Sequence, residues 1–221
     1  MGANNKMSKI EELNKLFDKW KEKQSNEDKD SNTIPKIIKR IDKNSFTSDG
    51  FIFGEKAGGV LYILNESNLQ DSSKESYDFF WLKGAYKVEN NINKSPIPRR
   101  IELMQKYICS KVKDINLQDI SYMNINKRGG FSSRDNEALW NYYNEYKENF
   151  IFEEIKIIEP KIIVVCTGYK DIYKDLLEHQ KDLKYKYIVN MKHPSYSYVS
   201  DKDYIEEFEK EVERIYGTEF Q

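Results

Sequence analysis

The sequence predicts an α/β protein, a three-layer sandwich with a central four-stranded, mostly parallel sheet. Three observations predict it. Apolar runs of strand length recur at 58–68, 120–126, 161–168 and 184–191. Each is followed by a longer segment of helical periodicity. The runs are apolar throughout rather than alternating, the pattern of strands covered on both faces.

The elements follow in order. Residues 8–23, "SKIEELNKLFDKWKEK", set Ile10, Leu13, Leu16, Phe17 and Trp20 on one helical face. Ser8 and Glu11 stand at the spacing of a capping box. The polar stretch "QSNEDKDSN" (24–32) reads as a linker, so 1–32 is predicted as an N-terminal amphipathic helix and linker and 33–221 as the α/β domain. "GGVLYILNESN" (58–68) is the first strand, and "PIPRRIELMQKYICSKV" (96–112) a helix opened by two prolines. "ISYMNIN" (120–126) is the second strand. A helical segment over 136–159 stops before Pro160. "KIIVVCTG" (161–168) is rich in β-branched residues and is the clearest strand. "YKDIYKDLLEHQK" is helical, "KYKYIVNM" is the fourth strand, and 201–217 is a C-terminal helix with a solvated charged face.

Composition excludes several classes. Thirty-six basic and 37 acidic residues leave a net charge of −1, so any contact with nucleic acid comes from a local patch. Two cysteines, Cys109 and Cys166, read as buried thiols in a reducing cell. No apolar run approaches the roughly 20 residues of a membrane span, and no signal peptide opens the chain, so a soluble cytoplasmic protein is expected, with no membrane partner. His179 and His193 are too isolated for a metal site, and His179 is expected to face solvent. No glycine-rich phosphate loop occurs, and no cofactor is expected. Oligomeric state is not legible.

In parallel sheets, ligands bind beyond the carboxyl ends of the strands. All four predicted ends are polar: Asn65-Glu66-Ser67-Asn68; Asn124 and Asn126, then Lys127-Arg128-Gly129-Gly130; Thr167-Gly168; and Lys192-His193-Pro194-Ser195. Singly, each has a bland reading. Glu66 can cap a turn, Asn124 can satisfy a strand end, His193 can sit in a structural turn, and Lys127-Arg128 can be a solvated loop.

Taken in order, "VLYILNESN", "SYMNINKRGG", "IIEPKIIVVCTG" and "HPS" resemble the uracil-DNA glycosylase superfamily over roughly residues 58–200. The resemblance implies a monofunctional DNA glycosylase that hydrolyses the bond between a flipped-out uracil or other modified base and its sugar. It makes Glu66 the acid that orients water, His193 the donor to the leaving base and Asn124 the reader of the base edge. Asn65, with Phe79 or Phe80, would hold the base. Lys127, Arg128, Gly129, Gly130, Lys192 and Ser195 would meet DNA phosphates, with "SPIPRR" (95–100) as a second basic segment. Tyr196, Tyr198 or Val199 would wedge into the gap left by the base. The first motif lacks the family's usual glycine and proline and carries Glu where Asp is usual. Two other readings stay open: an inactive nucleic-acid-binding module on the same fold, and an enzyme acting on free nucleotides or nucleosides.

Overall fold

In the computed structural model, the described residues are 7–27, 46–56, 58–67, 95–129 and 136–217; the side chains of Glu66 and Ser67 lie outside that set. The chain is α/β, with a mixed, mostly parallel five-stranded sheet in the order β1-β3-β2-β4-β5. The strands are β1 (Gly50–Phe51), β2 (Val60–Ser67), β3 (Ile120–Gly129), β4 (Ile162–Val165) and β5 (Tyr187–Asn190). The helices are α1 (Lys9–Glu27), α2 (Pro96–Lys111), α3 (Asn136–Tyr146), α4 (Phe152–Ile158), α5 (Lys170–Glu178), α6 (Gln180–Leu183) and α7 (Asp201–Tyr216); a π-helical turn, Lys147–Ile151, joins α3 to α4.

Strands β2 to β5 are mutually parallel. The fifth strand corrects the expected four. Gly50–Phe51 adds antiparallel to β3 at Tyr122 and Ser121, a pairing two residues long that leaves no periodicity to detect. At the opposite edge, the Tyr216 hydroxyl bonds both the N–H and the carbonyl of Ile188, capping the groups an edge strand otherwise exposes.

Alternation along the strands divides the interior into two cores. Leu61, Ile63, Met123, Ile125, Ile163, Val165 and Ile188 face α1, α3, α4 and α5. Val60, Tyr62, Leu64, Ile120, Tyr122, Ile162, Val164, Tyr187 and Val189 face α2 and α7. Burial on both faces is why these strands read as unbroken apolar runs. The chain runs from β2 through α2 to β3, then reverses direction in the sheet through α3–α4 to β4 and through α5 to β5. Right-handed crossovers require that reversal to move the connecting helices to the other face, and it does. Gly59, at the entry to β2, is sterically required, since an added Cβ would lie 2.5 Å from the Asp119 carbonyl oxygen.

Helix α1 belongs to the body. Its capping box forms as the spacing predicted: Ser8 N–H donates to Glu11 at 2.9 Å, and Glu11 N–H to Ser8 Oγ at 3.2 Å. Leu13, Leu16, Phe17 and Trp20 are buried in the larger core, and Trp20 stacks on Phe150 at 5.1 Å between ring centroids. Complete burial of such a ring is worth roughly 3–5 kcal/mol against alanine.

Between α1, β3 and α4 lies a charge cluster with no exposed surface. Lys127 Nζ pairs with Asp49 and, at 2.8 Å, with Glu154. It also lies 5.2 Å from the Trp20 ring centroid and 5.4 Å from that of Phe17. Asp49 accepts the backbone N–H of Asn124 with its second oxygen, taking the place of a ladder bond just before β1 begins. Burial, with Asp49 adding to it, pushes the Glu154 carboxyl well above its ordinary 4.5, despite the opposing pull of Lys127.

Two outcomes follow. Lys127→Ala strands Asp49 in the core and is expected to cost about 3–5 kcal/mol by urea denaturation. Glu154 holds its proton more tightly folded than unfolded. Its contribution to stability is therefore full below pH 4.5 and is lost as pH rises through the raised folded value. Glu154→Gln, which fixes the neutral form, should flatten that decline in the stability–pH curve; an unchanged slope would contradict the assignment.

Candidate functional site at the strand ends

The register gathers the predicted residues at one edge of the sheet. Leu64 is level with Asn124, and Glu66 with Asn126. Ile63 is level with Val165, and Val165 with Asn190. His193 is the third residue after β5, in the loop that leaves this same edge. At the usual spacing of about 4.8 Å between strands, the end of β5 is roughly 10 Å from that of β2 and roughly 14 Å from that of β3. The crossovers leave β2 in one direction and enter β4 from the other, so the topological switch point falls between Asn65-Glu66 and Thr167-Gly168. Asn65 and Thr167 are both buried there.

The sequence-predicted residues fare differently. Asn124 is buried, on the strand face that carries Ile120 and Tyr122. Asn126 accepts the Arg128 N–H at 3.0 Å, next to the irregularity where the β2–β3 register shifts. Lys127 and Arg128 are both fully buried, which corrects their expected role as phosphate contacts. The Lys127 ammonium is enclosed by two carboxyl groups and two rings, and no phosphate reaches it. Gly129 closes β3. Gly130, Phe79, Phe80 and the Glu66 side chain lie outside the described residues.

The "SPIPRR" segment is also corrected. Arg100 is buried and Arg99 part-exposed, and both engage Asp201 at the start of α7. Arg100 then grips the loop after β5, donating to the carbonyls of Pro194 (3.0 Å), Tyr196 (2.7 Å) and Val199 (2.7 Å). Tyr204 Oη donates to the Lys192 carbonyl at 2.6 Å, and Tyr196 N–H closes a turn on the His193 carbonyl at 2.9 Å. Ser200 Oγ caps α7 by accepting the Asp203 N–H. Sequence reasoning missed this use of the arginines. The one available signal was an acidic residue, Asp201, opening the helix that follows the loop.

On this loop, His193 is half-buried and its Nδ1 lies 2.7 Å from Ser195 Oγ. The Ser195 N–H donates to the same nitrogen at 3.3 Å, so a neutral ring carries its proton on Nε2. Lys192 pairs with Glu207 at 2.7 Å and lies 5.6 Å from the Tyr196 ring centroid. Tyr196 is exposed, and Tyr198 reaches 85 % exposure at 5.3 Å from it between centroids.

Burial pushes the Cys109 and Cys166 thiols up. His179 is half-buried against Phe152 rather than facing solvent, and its Nδ1 meets the Asp175 carbonyl. Among the described residues no cluster has the makings of a metal site, and no helix is long and apolar enough to cross a membrane.

The fold and these strand ends define an α/β protein whose polar groups converge at a switch point. Comparison of the sequence with protein-family models and with curated proteins found no match.

The Arg99 hydrogen bond, with Arg100 adding to it, holds the Asp201 carboxyl below its ordinary 3.8 despite partial burial. Its contribution to stability is therefore present above pH 3.8 and fades as pH falls through the lowered folded value. Asp201→Asn should loosen the loop, raising chymotryptic cleavage after Tyr196 and Tyr198 by about tenfold at neutral pH, the effect of a local opening eased by about 1.4 kcal/mol. Unchanged cleavage would show that the loop is held by other means.

Proposed function

We propose that this protein hydrolyses the N-glycosidic bond of a modified base flipped out of DNA, as its resemblance to the uracil-DNA glycosylase superfamily implies. One observation carries the reading: Glu66, near the end of β2, and the loop that carries His193 after β5 lie at the same carboxyl edge of the parallel sheet, two strands apart with β4 between them. That spacing of about 10 Å leaves room for a sugar and its base between an acid and a donor.

The chemistry divides between the two sides. As the C1′–N bond breaks, positive charge grows on the sugar and negative charge on the base. Glu66 orients a water towards C1′, accepts its proton and stabilises the cationic sugar. His193, with its ring fixed by Ser195 so that Nε2–H points outward from the Nδ1 contact, donates to an oxygen of the departing base. Asn124 reads the base edge, and Asn65 supplies a buried amide beside the switch point. Water oxygen ends on C1′ and the base leaves with its electron pair, so no cofactor enters the balance.

Tyr198 supports a polymeric substrate. An almost fully exposed ring on a loop gripped at the Pro194, Tyr196 and Val199 carbonyls has the form of a wedge. A second reading, hydrolysis of free nucleosides or nucleotides, is favoured by a different observation. The cations expected to hold phosphates, Lys127, Arg128, Arg99 and Arg100, are buried or committed to Asp201 and the loop.

The test uses labelled oligonucleotides carrying uracil, hypoxanthine, xanthine and modified cytosines, single- and double-stranded, with the matching free nucleosides alongside. A cut at one base after alkali is expected, with Glu66→Gln lowering the rate by about 10²–10⁴ and His193→Ala by about 10²–10³. Release of base from nucleosides alone would establish the second reading. Binding of DNA without release from any substrate, unaltered in Glu66→Gln, would reduce the protein to a binding module.

A further inference from the structure

We infer that Arg100 is the positioning residue of this reaction, its guanidinium holding the 194–199 loop so that Tyr198 stands where a duplex substrate meets it. The inference rests on the glycosylase reading and extends it to a residue that touches neither base nor sugar.

The geometry is specific to a guanidinium. Nε donates to Asp201 Oδ1 at 2.8 Å, Nη1 to the carbonyls of Pro194 and Tyr196, and Nη2 to that of Val199. The planar head lies 4.6 Å above the Tyr204 ring. Three carbonyls spread over six residues thus converge on one rigid fork, which an ammonium lacks the donors and the planarity to reproduce. The residue is 3 % exposed, and a buried cation is a costly way to fill space unless its donors are needed.

What the fork holds is a segment with little packing of its own. Ser195 to Tyr198 are all exposed, so their order comes from the gripped backbone rather than from buried side chains. At one end of the grip, Pro194 follows His193 directly; between the Tyr196 and Val199 anchors stands Tyr198. Arg100 also joins the start of α2 to the start of α7 through Asp201, so the loop takes its position from two helices packed on one face of the sheet.

The variant Arg100→Lys keeps the charge and loses the fork. Amide exchange at 196–200 is expected to rise by about tenfold or more while the melting temperature stays close to that of the parent. The kcat/KM for the preferred base is expected to fall by about tenfold in duplex and by less than about threefold in single strands, because only the duplex needs the wedge held in place. A merely structural role would lower both substrates equally, and that result would overturn the inference, as would unchanged exchange. A double-mutant cycle with Tyr198→Ala gives a second check, since Arg100→Lys added to Tyr198→Ala should cost no further duplex preference. Additive losses would overturn the proposal even if the single variant folds poorly. If the parent releases no base from any oligonucleotide, the glycosylase reading fails and takes the inference with it; if the parent is active and the duplex ratio does not move, only the inference fails.

Discussion

A lysine ammonium with no water around it is tolerable only when its surroundings supply what water did, and the packing around Lys127 is arranged to that end. Asp49 and Glu154 give carboxyl groups from two directions, and the faces of Trp20 and Phe17 close the remaining sides. Each partner comes from a different part of the chain: Asp49 from the residue before β1, Glu154 from α4, the rings from α1. One buried charge therefore ties the N-terminal helix and the short antiparallel strand to β3, the strand that carries Asn124. Burial, with Asp49 adding to it, raises the Glu154 carboxyl, which favours its uncharged form and limits the cost of burying the cluster.

The same economy governs the other end of the sheet. Arg99 and Arg100 follow two prolines and look like a surface patch in the sequence, yet both guanidinium groups are spent on Asp201 and, for Arg100, on loop carbonyls. Cations that attract phosphates from outside and cations that organise backbone from within are the same residue types. The first buried set fixes where β3 ends, and the second fixes how the chain leaves β5. Between them lies the switch point with Asn65 and Thr167, so both ends of the candidate site are held by charges committed to partners within the protein.

Much of the fold was legible. Unbroken apolar runs such as Ile162–Val165 have side chains in both cores, and that double burial wrote the pattern. The Ser8–Glu11 capping box was readable because it is closed within one turn. Gly50–Phe51 was not, since a two-residue pairing has no period and depends on Asp49 reaching β3. In the candidate site, the polar carboxyl ends of β2, β3 and β5 followed from where the strands stop. The burial of Lys127 and Arg128 did not, because "NINKRGG" has the composition of a polar loop although β3 runs to Gly129.

The sequence by itself determined the local periods: which segments extend, which coil, and which polar residues stand at the carboxyl end of each strand. These are set by neighbours within a few positions, so the chain records them directly. Only the tertiary structure decided which charges face inward. Burial of Lys127 and Arg100 depends on Asp49, Glu154 and Asp201, partners 27 to 101 residues away, and on the strand order that brings them close. A side chain's charge is written in its own residue; whether water or a carboxylate answers it is written in the fold.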